Sequence, residues 1–239
     1  MFRDRDTICD CENKERNRQG VPIDICNCGG YNDFHKKGPF KWLYLHLESP
    51  TKLRAFLLVM GEESVQLGLT WPLQRVLKVS VPYGNPVERG MCWDAHCITL
   101  HGRSCLLLVH CESRYTCVRF DLTPIDWSHL GELVQEEILK GLLDAGIAES
   151  RVARYMEELG AVHMTRTHGR REVAFLNRAW EDVLSADVLV DQTTHRQPVL
   201  NCVVNARLCR CAGEDGLDTA QAHLERYFIR KYNGKESDS

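Results

Sequence analysis

Residues 91–122 read MCWDAHCITLHGRSCLLLVHCESRYTCVRFDL. Three apolar, β-like runs, 95–100, 104–111 and 115–122, are separated only by Gly102-Arg103 and by residues 112–114. Connections this short join antiparallel neighbours, because a parallel crossover needs about a dozen residues or more. The stretch therefore predicts an antiparallel meander. Directly after it, Thr123, Pro124 and Asp126 supply a hydroxyl cap, a proline for the first turn and a carboxylate three residues on, which predicts a helix start. Leu130, Leu133, Val134, Ile138, Leu142 and Ala145 follow at helical spacing as far as Gly146. A second helix carries Val152, Tyr155, Met156 and Leu159 and stops at Gly160. Eight acidic residues against three basic ones between 126 and 160 give this pair an acidic outer face, which solvation alone accounts for.

Further on, residues 161–167 predict a fourth strand. Residues 170–190 predict a long helix with Val173, Leu176, Trp180, Val183, Leu184 and Val188 on one side. The alternation Leu200, Cys202, Val204, Ala206, Leu208 predicts a last strand over 199–208, and 217–231 a final helix. Strands grouped before helices predict an α+β fold, an antiparallel sheet packed by helices.

Towards the amino terminus, Trp42, Tyr44 and His46 alternate with Leu43, Leu45 and Leu47, predicting a strand that Pro50 ends. The run 52–60 reads as a strand, although its periodicity also admits a short buried helix. Val76, Val79 and Val81 extend this β-like region to Pro82, Gly84, Asn85 and Pro86, a turn cluster that predicts an internal boundary near residue 90. Residues 1–40 hold seven acidic and seven basic residues, four cysteines and several glycines and prolines, with no periodic apolar pattern, so this segment cannot build a core alone. The expected division is a cysteine-rich, β-rich amino-terminal module over 1–90, an α+β domain over 91–232 and a frayed tail over 233–239.

A net charge of -3, from 30 basic and 33 acidic residues, offers no global field to hold a nucleic acid or an anionic membrane. The chain contains no apolar run long enough to span a bilayer, and its charged start lacks a signal-peptide core, so a cytoplasmic protein without membrane contact is expected. In such a reducing compartment its 12 cysteines would be thiols or metal ligands.

Cys9 and Cys11, then fourteen residues, then Cys26 and Cys28 place two thiol pairs in a loop-rich segment that a structural zinc ion would stabilise. Buried thiols and a redox pair are the alternatives. His35 could replace one thiolate, and Cys209 with Cys211 could join either pair, tying the two ends of the chain together. Cys105, Cys111 and Cys117 sit in apolar surroundings and read as core. Cys92, Asp94, His96, Cys97 and His101 are denser, and Asp94 and His96 share a strand face, as a metal or nucleophile site would require. A nucleophilic cysteine also needs a base, an orienting group and an oxyanion donor, and the linear order identifies none of these. No catalytic set is assigned; His96, His101 and His163 are the candidates for a base or a metal ligand. Arg166, His168, Arg170 and Arg171, near His163, fall where the fourth strand meets the long helix, a setting that favours an anion. The alternative is a solvated turn whose arginines pair with Glu172.

Trp93, Ala95, the Gly102-Arg103 hairpin, the strand 106–109, Phe120, the two helices, Thr165-Arg166-Thr167, Arg170 and Asn177 resemble a bacterial domain-of-unknown-function family of small single-domain proteins. The resemblance covers roughly residues 91–190. Arg170 and Asn177 keep their places in the family's pattern, whereas Gly169, Arg171, Ala174 and Leu176 depart from it. It implies a compact α+β domain and no particular reaction.

Trp42, Trp71, Phe56 and the 53–60 run offer binding surface, so the leading expectation is a non-enzymatic bacterial accessory or regulatory protein, zinc-stabilised, that binds another protein. One alternative is an enzyme acting on a phosphate ester or nucleic acid, with Arg166, Arg170 and Arg171 on the anion. A second is a zinc-stabilised nucleic-acid binder, against which the weak overall charge speaks.

Overall fold

The computed structural model describes residues 14–16, 22–24, 65–85, 87–211 and 216–233. The chain divides into two units, Met1–Lys52 and Leu53–Ser239. In the first, β1 (Lys14–Arg16) and β2 (Pro22–Asp24) form an antiparallel ladder. Cys9, Cys11, Cys26, Cys28 and His35, the strand expected over 41–47 and the run 52–60, with Trp42 and Phe56, lie outside the described residues, as does the tail from 234.

The second unit is α+β. Its sheet holds five strands, β3 (Val65–Leu69), β4 (Cys92–Leu100), β5 (Arg103–His110), β6 (Thr116–Arg119) and β7 (Val162–Arg166), in the order β6-β5-β4-β3-β7. The meander is present as β4-β5-β6, antiparallel throughout. The sheet as a whole is mixed, because β3 pairs in parallel with β4 on one side and β7 on the other. All five residues of β3 are buried, as befits a central strand covered on both faces. The sheet thus crosses the expected boundary near residue 90. Val76 lies not on a strand but on helix α1 (Trp71–Leu77), where Pro72 suits the first turn.

The expected helix start at Thr123 is a capping box: the Thr123 hydroxyl accepts from the Asp126 backbone while the Asp126 carboxylate accepts from that of Thr123. It opens a short helix, α2 (Pro124–Ser128), followed by α3 (Leu130–Asp144) and α4 (Glu149–Leu159). The helix expected over 170–190 ends earlier: α5 spans Arg170–Leu184, and a turn of 3-10 helix, Asp187–Leu189, follows. Its buried side is Leu176, Ala179 and Val183, while Trp180, Leu184 and Val188 face solvent.

Residues 199–208 are a correction. Instead of a strand, Pro198–Asn205 form helix α6, and only Leu208–Cys209 are extended, as β8, paired with β9 (Asp218–Thr219) ahead of α7 (Ala220–Tyr232). Leu200 and Val204 are four apart, a spacing common to both periods, so the alternation was ambiguous. The deciding residues are Asn201 and Asn205, both buried on the same helical face. Asn205 accepts from the Thr116 amide (2.7 Å) and donates to its carbonyl (2.7 Å), and Asn201 accepts from the Val118 amide (3.0 Å). Two side chains one turn apart thereby do the hydrogen bonding of a sixth strand and close the outer edge of β6. The next stretch of that edge is closed by backbone, where the Phe120 amide donates to His195 (2.7 Å).

The two sheet faces carry different cores. Ile98, Leu107, Val109, Val118 and Phe120 pack with Leu176, Ala179 and Val183 of α5 and Leu200 and Val204 of α6. On the opposite face Trp93 donates to the Tyr155 hydroxyl (2.8 Å), and His110, Tyr227 and Phe228 extend this aromatic packing. Replacing Asn205 with alanine leaves a buried amide and carbonyl of Thr116 unpaired and is expected to cost about 1–3 kcal/mol in urea unfolding, with Asn201→Ala costing less because it serves one group.

Candidate functional site

β3 lies between β4 and β7, and the chain leaves it towards β4 by way of α1 but returns to it along β7. A strand with parallel neighbours reached in opposite directions marks where α/β proteins bind ligands, beyond the strands' carboxyl ends. Here the chain after β7 folds back over Gly68. A Cβ at Gly68 would run into the Asp94 carboxylate and stand 2.9 Å from both His168 Nδ1 and the Thr167 Cα, so only glycine admits this approach. Gly169, at φ 135°, then turns the chain into α5.

The fold-back delivers His168 to Asp94, whose residues are 74 apart in sequence, with Nδ1 2.6 Å from Oδ1. Asp94 is only 1% exposed, and its Oδ2 and the Nε2 of His168 are buried with no hydrogen-bond partner among the described residues. Cys111 Sγ lies 3.6 Å from His168 Nδ1, and one donor atom each from Asp94, Cys111 and His168 fall within 4.8 Å of one another. Burial pushes the Asp94 carboxyl up, opposed by His168. Burial alone would depress the imidazole, but its hydrogen bonding with Asp94 and Cys92 outweighs this and raises His168 to about 10. The pair thus keeps a proton through neutral pH. Burial holds the Cys111 thiol well above its ordinary value, so it is not a nucleophile at neutral pH.

Beside this pair, Glu172 curls over the first turn of α5, buried, and accepts from both Arg89 and Arg171 (Nη2 at 2.8 Å). The arginines and histidine expected to hold an anion are therefore dispersed. His168 meets Asp94, Arg171 meets Glu172, and Arg170 is exposed. Arg166 donates from Nε to the Val81 carbonyl (3.2 Å) and lays its guanidinium over Tyr83 (4.6 Å to the ring centre) and Trp71 (5.7 Å). Both rings are exposed, at 76% and 64%. Among the candidate bases, His96 bonds to Thr70 (2.8 Å) beside Trp180, His101 sits in the exposed β4-β5 turn, and His163 is exposed on β7. These three do not converge.

Cys105 and Cys117 are core thiols, as expected; Cys111 is equally buried but faces the Asp94–His168 pair. Cys209 and Cys211 come together with His223 of α7, again within 4.8 Å donor to donor. His223 was not anticipated, though it falls on the buried side of a helix whose apolar residues, Ala220, Leu224, Tyr227 and Phe228, mark that side in the sequence. Contact with Cys211, aided by Arg114 and His223, outweighs burial and lowers the Cys209 thiol to about 7.

With chelator present, the raised imidazole of His168 sets a pH dependence. Its stabilisation is full below the unfolded value near 6.5 and is lost as pH climbs through about 10. Unfolding free energy should fall between pH 7 and 10, and His168→Gln should flatten that decline. Gly68→Ala, which sets a methyl against the Asp94 carboxylate, is expected to destabilise by about 1–3 kcal/mol in the same assay.

Among the described residues, no helix is long and apolar enough to cross a membrane. A search of curated proteins found no match to this chain. The family model for a domain of unknown function, DUF6933, matches residues 66–221, from β3 into α7, a wider span than the 91–190 over which the sequence resemblance runs. That match covers more than half of the chain and contains the whole five-stranded sheet but its first residue, and the protein accordingly belongs to the DUF6933 family.

Proposed function

We propose that this chain is a non-enzymatic accessory or regulatory protein of the cytoplasm that binds another protein through the surface formed by Trp71, Arg166 and Tyr83. The observation that carries this is the guanidinium of Arg166 lying over two exposed aromatic rings while its Nε is tied to the Val81 carbonyl. Trp, Tyr and Arg dominate the energetics of protein interfaces, and a side chain already held in place loses little freedom on docking. A positively charged, flat, aromatic-bordered spot suits a partner that presents a carboxylate between apolar groups. Zinc stabilisation forms part of this proposal, with Cys209, Cys211 and His223 as the ligands that support it among the described residues.

The enzyme alternative has less support. Two of its anion-holding groups, His168 and Arg171, face carboxylates of the chain itself, and the three candidate bases lie apart.

Affinity capture from the source cells, followed by native mass measurement, tests the proposal. A partner of fixed stoichiometry should bind the wild type and bind roughly tenfold or more weakly to the Trp71→Ala/Tyr83→Ala variant, whose exposed substitutions leave the core intact. A protein that stays a monomer without partners, or a partner held equally by both proteins, would overturn it.

A further inference from the structure

We propose that Asp94, Cys111 and His168, with Cys92 as fourth donor, form a closed binding site for a thiophilic divalent cation, zinc being the best match. The site shares no donor with the Cys209–Cys211–His223 cluster.

The donors converge by sheet geometry. Cys92 and Asp94 are two apart on β4 and so project from one face. The Cys111 amide donates to the Cys92 carbonyl (3.0 Å), setting the two cysteines side by side on adjacent strands. His168 comes down over this face, in reach of Asp94 and Cys111, while the Cys92 thiol donates to the Glu88 carbonyl (3.5 Å) and turns inward to serve as the fourth donor when the ion binds. In a tetrahedral zinc site, metal distances near 2.3 Å to sulfur and 2.0 Å to nitrogen put those two atoms about 3.5 Å apart. Cys111 Sγ and His168 Nδ1 are 3.6 Å apart, whereas Asp94 Oδ1 and the same Nδ1, hydrogen-bonded at 2.6 Å, separate when the ion enters.

A second, independent observation comes from hydrogen bonding. Interiors seldom leave polar atoms without partners, yet here Asp94 Oδ2 is buried and unpaired within the cluster. Asp94 is almost fully buried, and its carboxylate has one imidazole to answer it where Glu172 has two guanidiniums. A cation bound among the donors would complete that arrangement.

The donor chemistry selects the ion. Thiolate, imidazole and carboxylate together suit zinc, whereas magnesium and calcium require oxygen donors throughout. With Cys92, Cys111 and Asp94 ionised and His168 neutral, a divalent ion leaves one net negative charge. Arg89 lies close enough to act on Cys111, and with Arg171 and Glu172 it contributes one net positive charge beside the site. Loading releases the thiol protons and the proton now shared by Asp94 and His168. Cys92, Asp94 and Cys111 are buried and His168 is mostly covered, so four protein donors would make the site structural, with no open position for a substrate.

The test uses the full-length chain carrying Cys9→Ser, Cys11→Ser, Cys26→Ser, Cys28→Ser, Cys209→Ser and Cys211→Ser, so that the other candidate thiol ligands are silent. Titration with cobalt(II) should give one equivalent of a tetrahedral, thiolate-ligated spectrum that zinc displaces. Adding Cys111→Ser or His168→Gln should abolish it. In parallel, zinc should slow alkylation of Cys92 and Cys111, mapped by mass spectrometry, by tenfold or more relative to chelator-treated protein. No thiolate–cobalt band in this six-fold substituted chain would overturn the proposal, as would a band that survives Cys111→Ser. Should the Cys111 and His168 variants fail to fold, alkylation in the six-fold substituted chain decides alone, and equal rates with and without zinc would overturn the proposal.

Discussion

Strand β3 must be hydrogen-bonded along both edges and covered on both faces at once. It is five residues long, lies between β4 and β7, and leaves no residue at the surface. Most of the unit follows from meeting these demands. The aromatic group around Trp93, Tyr155 and Phe228 and the aliphatic group under α5 and α6 build the two faces of the sheet in which it is central. The return of the chain along β7, far downstream of β4, completes its second edge. Because that return must then turn into α5 across the same strands, residues 167–169 are drawn over Gly68, and the one side chain β3 lacks becomes the space where Asp94 and His168 meet.

Two carboxylates are buried close to this crossing and are treated differently. Glu172 is neutralised twice over by arginines and sits in the first turn of a helix, where negative charge is favoured. Its charge is met within the chain. Asp94 has a single imidazole for company and one oxygen to spare. Removing one member of a buried charged pair costs far more than the pair contributes, so the arrangement around Asp94 is fixed tightly even though it is incomplete. A fixed position and an unpaired carboxylate oxygen set Asp94 apart from Glu172.

Much of the fold could be read from the chain because its elements announce themselves locally. The β4-β5-β6 meander has short connections, α2 has a reciprocal cap, and α3 and α4 end at glycines. The parallel pairing of β3 was not legible, since Val65, Leu67 and Leu69 alternate with Gln66 and Gly68 as in any half-buried strand, and its partners are set by contacts distant in sequence. Helix α6 was misread because Leu200 and Val204 fit either period. What separates the two states is the pair Asn201 and Asn205, whose function depends on a strand more than eighty residues away. The candidate site shows the same division. Asp94, His168 and Cys111 were each singled out, but in three different roles, as strand-face ligand, anion holder and core thiol. Chain order carries no trace of the fold-back that unites them. His223 lies on the buried side of α7, and its approach to Cys209 and Cys211 is set by the β8–β9 pairing that precedes the helix.

The helix that finishes the sheet comes late in the chain. β6 ends at Arg119, while the asparagines that occupy its outer edge follow 83 and 89 residues after the amides they bind. During synthesis at about 5–20 residues per second, that interval lasts roughly 4–18 s. Through this time the nascent meander presents an unsatisfied strand to whatever else is emerging nearby. The order of elements thus gives this protein a translation-timed vulnerability, in which ribosome pausing between residues 120 and 205 would prolong exposure and chaperone cover over the same window would shorten it.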